Sequence, residues 1–166
     1  MVKIQTIMQS HIYLFLQSQV NMLDFEQFKT YLRVTHSKNK DTTDAIVRDV
    51  RMYLDKTTTT DLESDYTKLL DIRKVENFVE AISLEYKPTT RAEKLRRIKL
   101  AIKYIIRQND DNDLYYRGKR TVDNIDEMCH GLAKQIAIQR HEYALVMRKQ
   151  LPQIIDPNEF LENDQV

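Results

Sequence analysis

Apolar residues recur three and four apart through most of the chain, the spacing that lays one face of an α-helix against a core. Phe25, Phe28, Tyr31 and Leu32 predict a first helix over about Leu23–Val34, closed by the polar loop His36–Asp41. Ile46, Val47, Val50, Tyr53 and Leu54 form one stripe of a second, about Thr43–Leu54, with Arg48 and Arg51 turned away. A Thr57–Thr60 loop and a Thr60/Glu63 capping box introduce a third, about Asp61–Leu70, burying Leu62, Tyr66, Leu69 and Leu70. Asp71 can cap a fourth, about Ile72–Leu84, with Val75, Phe78, Val79 and Ile82 inside. The fifth covers Thr90–Arg107, capped by Thr90 and Glu93, with Pro88 blocking an earlier start and Leu95, Ile98, Ile102, Ile105 and Ile106 on its core stripe.

A hydrophilic stretch, 109–121, reads as a linker with Gly118 at its turn. Beyond it Thr121 caps a long helix, 122–151, stopped by Pro152. Its positions Val122, Ile125, Cys129, Leu132, Ile136, Gln139, Tyr143 and Val146 alternate like heptad a and d sites. Gly131 and Gln139 weaken that seam, which favours a docked helix over a self-sufficient coiled coil. Residues 152–166 read as an acidic tail, and 1–22 as a leader or amphipathic helix. The expected fold is all-α: a compact helical bundle over 23–108, then the linker, the long helix and the tail.

Composition agrees. Two Gly and three Pro in 166 residues leave few breakers, and the length suits one domain with a modest core. The lone Cys129 excludes an internal disulfide framework and fits a reducing compartment. The apolar run Ile12–Leu16 is too short for a signal peptide's core, and no segment is expected to enter a membrane.

Charge changes the picture. The formal net charge of +1 hides a basic block, since residues 86–120 carry eleven basic and four acidic side chains. Within it Arg96, Lys99, Lys103 and Arg107 run down the fifth helix opposite its apolar stripe, with no acid inside that helix at four-residue spacing after Glu93 to offset them. Such a row suits a polyanion, nucleic acid foremost; a solvated surface face has the same bare pattern.

Little else carries chemistry. The histidines stand in HIYL, HSKN, HGLA and HEYA contexts, none spaced as metal ligands. His141 beside Glu142 reads as a helix-surface pair, and Cys129 as a buried, inert thiol. With no phosphate loop, nucleophile elbow or paired carboxylates, neither enzyme activity nor a cofactor, metal or small-molecule ligand is expected.

The order FEQFKTYLRVTHSKNKDTTDAIVRDVRMYLDK, DLESDYTKLLDIRKVENFVEAI and KPTTRAEKLRRIKLAIKYIIRQ resembles the N-terminal core-binding domain of tyrosine recombinases, closest to the crypton class of transposable elements and animal proteins derived from it. The long helix and the LPQIIDPNEFL segment are similar to the family's elements C-terminal to that bundle, so the likeness spans about Leu23–Leu161. It rests on spacing and scattered apolar positions. The resemblance implies a helical clamp on one face of duplex DNA. Carried over by position, it places Lys38, Lys40, Arg48 and Arg51 near the DNA backbone around the second helix, and Arg96, Lys99, Lys103 and Arg107 along the fifth.

The same family's catalysis requires an Arg, a Lys, a His-x-x-Arg pair and a nucleophilic Tyr in a second domain. No His here has Arg three residues on, and no Tyr stands in a nucleophile's setting. The expectation is therefore a non-catalytic DNA-binding half: a domesticated remnant, a truncated product or a fragment, acting in the nucleus. The alternative is a helical interaction module that pairs with itself or a partner helix through 122–151. An RNA-binding reading is weaker, because no aromatic platform accompanies the stripe beyond Tyr104 at its edge.

Overall fold

In the computed structural model of the chain, the described residues are 5–12, 22–57 and 66–154, with side chains to 150. All are helical or connecting, and no strand occurs among them. The elements are α1 (residues 5–12), α2 (Phe25–Thr35), α3 (Lys40–Thr57), a 3-10 turn (Tyr66–Leu70), α4 (Ile72–Ser83), α5 (Pro88–Gln108) and α6 (Asn112–Ile154). Every residue of α1 is exposed. The Thr60/Glu63 capping box, Leu62, most of the leader and the tail from 155 onward lie outside the described residues.

Caps explain where α2 and α4 begin. Asp24 accepts from the backbone N–H of Glu26 and Gln27, and Asp71 from those of Arg73 and Lys74, satisfying donors that a first turn leaves open. α3 is longer than its apolar stripe predicts: Asn39 Oδ1 accepts from Thr42 N–H at 2.8 Å and starts the helix at Lys40, so Lys40 is helical rather than part of a loop. Pro88 does not block α5 but opens it, standing in the first turn, where its missing N–H costs nothing. The Thr90/Glu93 capping box does not form; Glu93 turns to Arg96 and Arg97 instead.

α5 is the central strut, packing against α2, α3, α4, the 3-10 turn and α6. Its Leu95, Ile98, Ala101, Ile102 and Ile105 are buried with Phe28, Leu32, Ile46, Val50, Tyr53, Leu69, Val75, Phe78 and Ile82 in one core. Each such large aliphatic side chain contributes about 1.5–3 kcal/mol on leaving water. Tyr53 seals the floor, donating its hydroxyl to the Lys68 carbonyl at 2.7 Å, and burial drives its phenol far above the ordinary range.

The largest departure from the sequence reading lies at 109–121. Only Asn109–Asp111 separate α5 from α6, and what reads as a linker is the first two and a half turns of a 43-residue helix. Asp111 accepts from Asp113 and Leu114 N–H to cap it. Thr121 is no cap: it is fully buried, and its hydroxyl donates to carbonyls of Leu70 and Arg117. Gly118 makes no turn, because α6 crosses α5 so closely there that a methyl group would lie 2.6 Å from Ile106 Cδ1. Ile125 and Leu132 complete the core, so the bundle does not close at Gln108. α6 also runs past Pro152 to Ile154.

Candidate nucleic-acid interface

Helix α5 presents one arc to solvent, and the basic stripe lies on it. Arg96, Lys103 and Arg107 are exposed, with the half-buried Leu100 between them. The antiparallel neighbour α6 borders one side: Cys129 lies against the Ala92 carbonyl, Asp126 meets Lys99, and Gly118 abuts Ile106. The other side is bordered by the end of α2, where the chain turns through Ser37 at φ 50° and the Lys38 N–H closes on the Leu32 carbonyl at 3.2 Å. That turn carries Lys38 to the Arg107 end of α5.

The eight predicted residues therefore divide. Lys38, Lys103 and Arg107 converge on His36, whose imidazole is held below its usual pKa by burial first and then by those three cations. His36 Nε2 lies 3.0 Å from the Tyr31 hydroxyl, and the Arg107 guanidinium stands 5.7 Å from the centroid of the Tyr31 ring. Burial raises the Tyr31 pKa, while Arg107 pulls it back. Among the described residues Lys38, Lys103 and Arg107 have no acidic partner within an ion-pair distance.

Lys99 departs from the expected free row. Asp126 of α6 reaches it at 2.5 Å, and the lysine side chain is only 24% exposed. No acid follows at four-residue spacing in α5, but tertiary packing supplies one from another helix. Arg96 is 61% exposed and among the described residues pairs with Glu93, at 3.9 Å, a contact worth little in water.

Arg48 and Arg51 do not join this ridge. They line a separate open groove of about 570 Å³ between α2 and α3, together with Lys29, Lys56, Asp44 and Asp55. The Arg51 guanidinium sits 4.5 Å over the Phe25 ring. Lys40 is exposed at the start of α3.

Asp49 has a structural role that sequence reasoning missed. It is buried between Lys94 Nζ at 2.9 Å and Arg97 Nη1 at 2.6 Å, and it ties α3 to the helix bearing the ridge. Lys94 also lies 4.7 Å from the centroid of the Tyr86 ring. The signal was present: Asp49 stands three residues after Ile46, on the apolar stripe itself. Tyr104, read at the edge of the basic stripe, is buried against Phe28 and Tyr31 and offers no free stacking face.

Cys129 is half-buried, and burial pushes its thiol up, with Arg96 and Lys99 pulling down against Asp126. No group of three or more His, Cys, Asp or Glu among the described residues is placed to hold a metal ion, and no described helix is long and apolar enough to cross a membrane. No family model, curated protein or solved structure matches this chain.

Proposed function

We propose that the protein binds double-stranded DNA through the ridge of Lys38, Arg96, Lys103 and Arg107, as a non-catalytic module related in plan to the core-binding half of a tyrosine recombinase. The observation that carries this reading is the convergence of Lys38, Lys103 and Arg107, from two elements distant in sequence, with no acid among the described residues at ion-pair distance from them. Like charges gathered on one face cost stability unless something anionic meets them, and a row along a rigid helix matches a phosphate backbone. Lys119 supports it: two turns before Asp126 on the same face of α6, it is exposed beside the Lys103–Arg107 segment. The separate Arg48/Arg51 groove, which holds two acids of its own, is left out of the contact surface.

The test is a binding series on duplex, single-stranded DNA and RNA across salt concentration. Four phosphate contacts predict a log–log salt slope of about −3.6 for duplex. Replacing Arg96, Lys103 and Arg107 by Gln keeps helix propensity and removes no buried side chain, losing only the Arg107 contact with the half-buried Tyr31 ring, so helicity stays while the slope shrinks by about three units. A variant that binds duplex as tightly as the parent at equal salt overturns the reading.

A further inference from the structure

The core face of α6 does not end where the bundle ends. Ile125 and Leu132 are buried against α5, yet beyond Ile136 every described side chain is exposed. Residues eighteen apart on a helix point in the same direction, so Ile136 faces as Gly118 does, and Tyr143 as Ile125 does. Tyr143 is nonetheless 67% exposed and Val146 51%, with Met147 beside them. The same seam therefore runs out of the bundle on a helix that projects, from Ile136 to Ile154, by about 27 Å.

We propose that this projecting half of α6 pairs with the same segment of a second copy, antiparallel, making a two-fold homodimer. The bundle itself excludes parallel pairing. It sits on the seam side of α6 below Leu132, so two parallel helices joined by their seams would force two bundles into one space. Antiparallel, each free half runs alongside the other, and each bundle begins past the end of its partner's helix.

Charge selects the register. With Tyr143 facing the partner's Val146, Gln139 meets the partner's Gln150, where two side-chain amides can hydrogen-bond. Glu142 then flanks the partner's Lys149, and by symmetry the pair occurs twice. In that register the partner's Leu132 lies level with a point about three residues' rise beyond Ile154, so the bundles clear the helix ends. Sliding the helices one heptad closer sets Glu142 against Glu142 and Arg140 against Arg140, and drives each bundle into the other helix.

An overlap of about five turns buries less than the roughly 1,200 Å² of a stable complex, so the dimer forms in the micromolar range. Its two-fold axis stands perpendicular to the helix pair. On α5 the ridge points about a sixth of a turn from the side that meets α6, mostly along the two-fold axis, so the two ridges would face the same way, about 75 Å apart. That last consequence bears on the DNA reading; the dimer itself does not rest on it.

Sedimentation velocity of the full chain, from about 1 to about 200 µM, tests the pairing. The expected result is a concentration-dependent shift towards twice the 19.8 kDa chain mass. Tyr143→Glu with Val146→Glu should raise the dissociation constant at least tenfold, with the unfolding midpoint unchanged at concentrations well below that constant, where both proteins are monomers and neither side chain touches the bundle. Orientation is read by oxidative cross-linking in a Cys129→Ser background. Gln139→Cys mixed with Gln150→Cys should give a covalent heterodimer, while Gln150→Cys alone should not. A monomer at the highest concentration, a dimer indifferent to the two glutamates, or cross-linking of Gln150→Cys to itself overturns the proposal.

Discussion

Replacing Asp49 tests whether the buried ion cluster organises the ridge-bearing helix. The carboxylate is 5% exposed and holds Lys94, 11% exposed, and Arg97, 22% exposed, at 2.9 and 2.6 Å. Asp49→Ala leaves two cations facing a cavity. Arg97 keeps the more exposed Glu93 at 3.2 Å, whereas Lys94 retains only the Tyr86 ring. Removing one member of a buried pair costs about 3–5 kcal/mol, because the remaining charge stays desolvated without compensation. Arg97's second partner places the expected loss near the lower figure, about 3 kcal/mol, a large share of a small domain's stability. Urea unfolding of the parent, Asp49→Ala, Asp49→Leu, Lys94→Met and the double variant Asp49→Leu/Lys94→Met measures it. The double variant should recover much of the loss, since the Asp49 and Lys94 charges are gone, Arg97 keeps Glu93 and the apolar stripe is continuous. Raising salt should change these differences little, because the cluster is shielded from solvent. A loss below about 1 kcal/mol for Asp49→Ala, or single effects that simply add, would refute the reasoning.

The two glycines of α6 should respond in opposite directions. Gly131→Ala, with nothing within 4 Å of the new methyl, should raise stability by about 1 kcal/mol; Gly118→Ala must displace Ile106 and should lower it, as thermal melts can show. Ending the chain at Gln108 should abolish the cooperative melt, because Ile125 and Leu132 leave the core, whereas ending it at Gln135 should preserve one. His36 titrates below its ordinary value, so the folded state binds fewer protons than the unfolded chain. Its contribution is full above about pH 6.5 and is lost as pH falls through the folded pKa, so unfolding followed from pH 7.5 to 5 should show the loss and His36→Gln should remove it. Phosphate beside Lys38, Lys103 and Arg107 would raise that pKa, so duplex affinity should increase on acidification and the His36 ring resonances should report the shift.

The helical class, the core stripes of α2 to α5 and the cap at Asp71 follow from local physics. A 3.6-residue period and a side-chain oxygen at a first turn act over a few residues, and the sequence displays them directly. Even so, only the apolar part of α3 was visible, since Lys40–Thr42 join it through a cap from Asn39 rather than through burial. The stripe Arg96–Arg107 was legible as a pattern, but its electrostatics were not. Whether a lysine is free depends on what another helix brings beside it, and Asp126 reaches Lys99 from 27 residues away. Separations of 45 and 48 residues hide Asp49, an acid whose place on an apolar stripe makes sense only once Lys94 and Arg97 face it. The supposed linker failed for a related reason. Its polar residues carry no strong core stripe of their own, and they are helical because Gly118 and Thr121 fit the narrow space left by Ile106 and Leu70. Periodicity reports which face is apolar; only the packed chain decides which neighbour covers that face, and where, beyond Ile136 on α6, none of the described elements does.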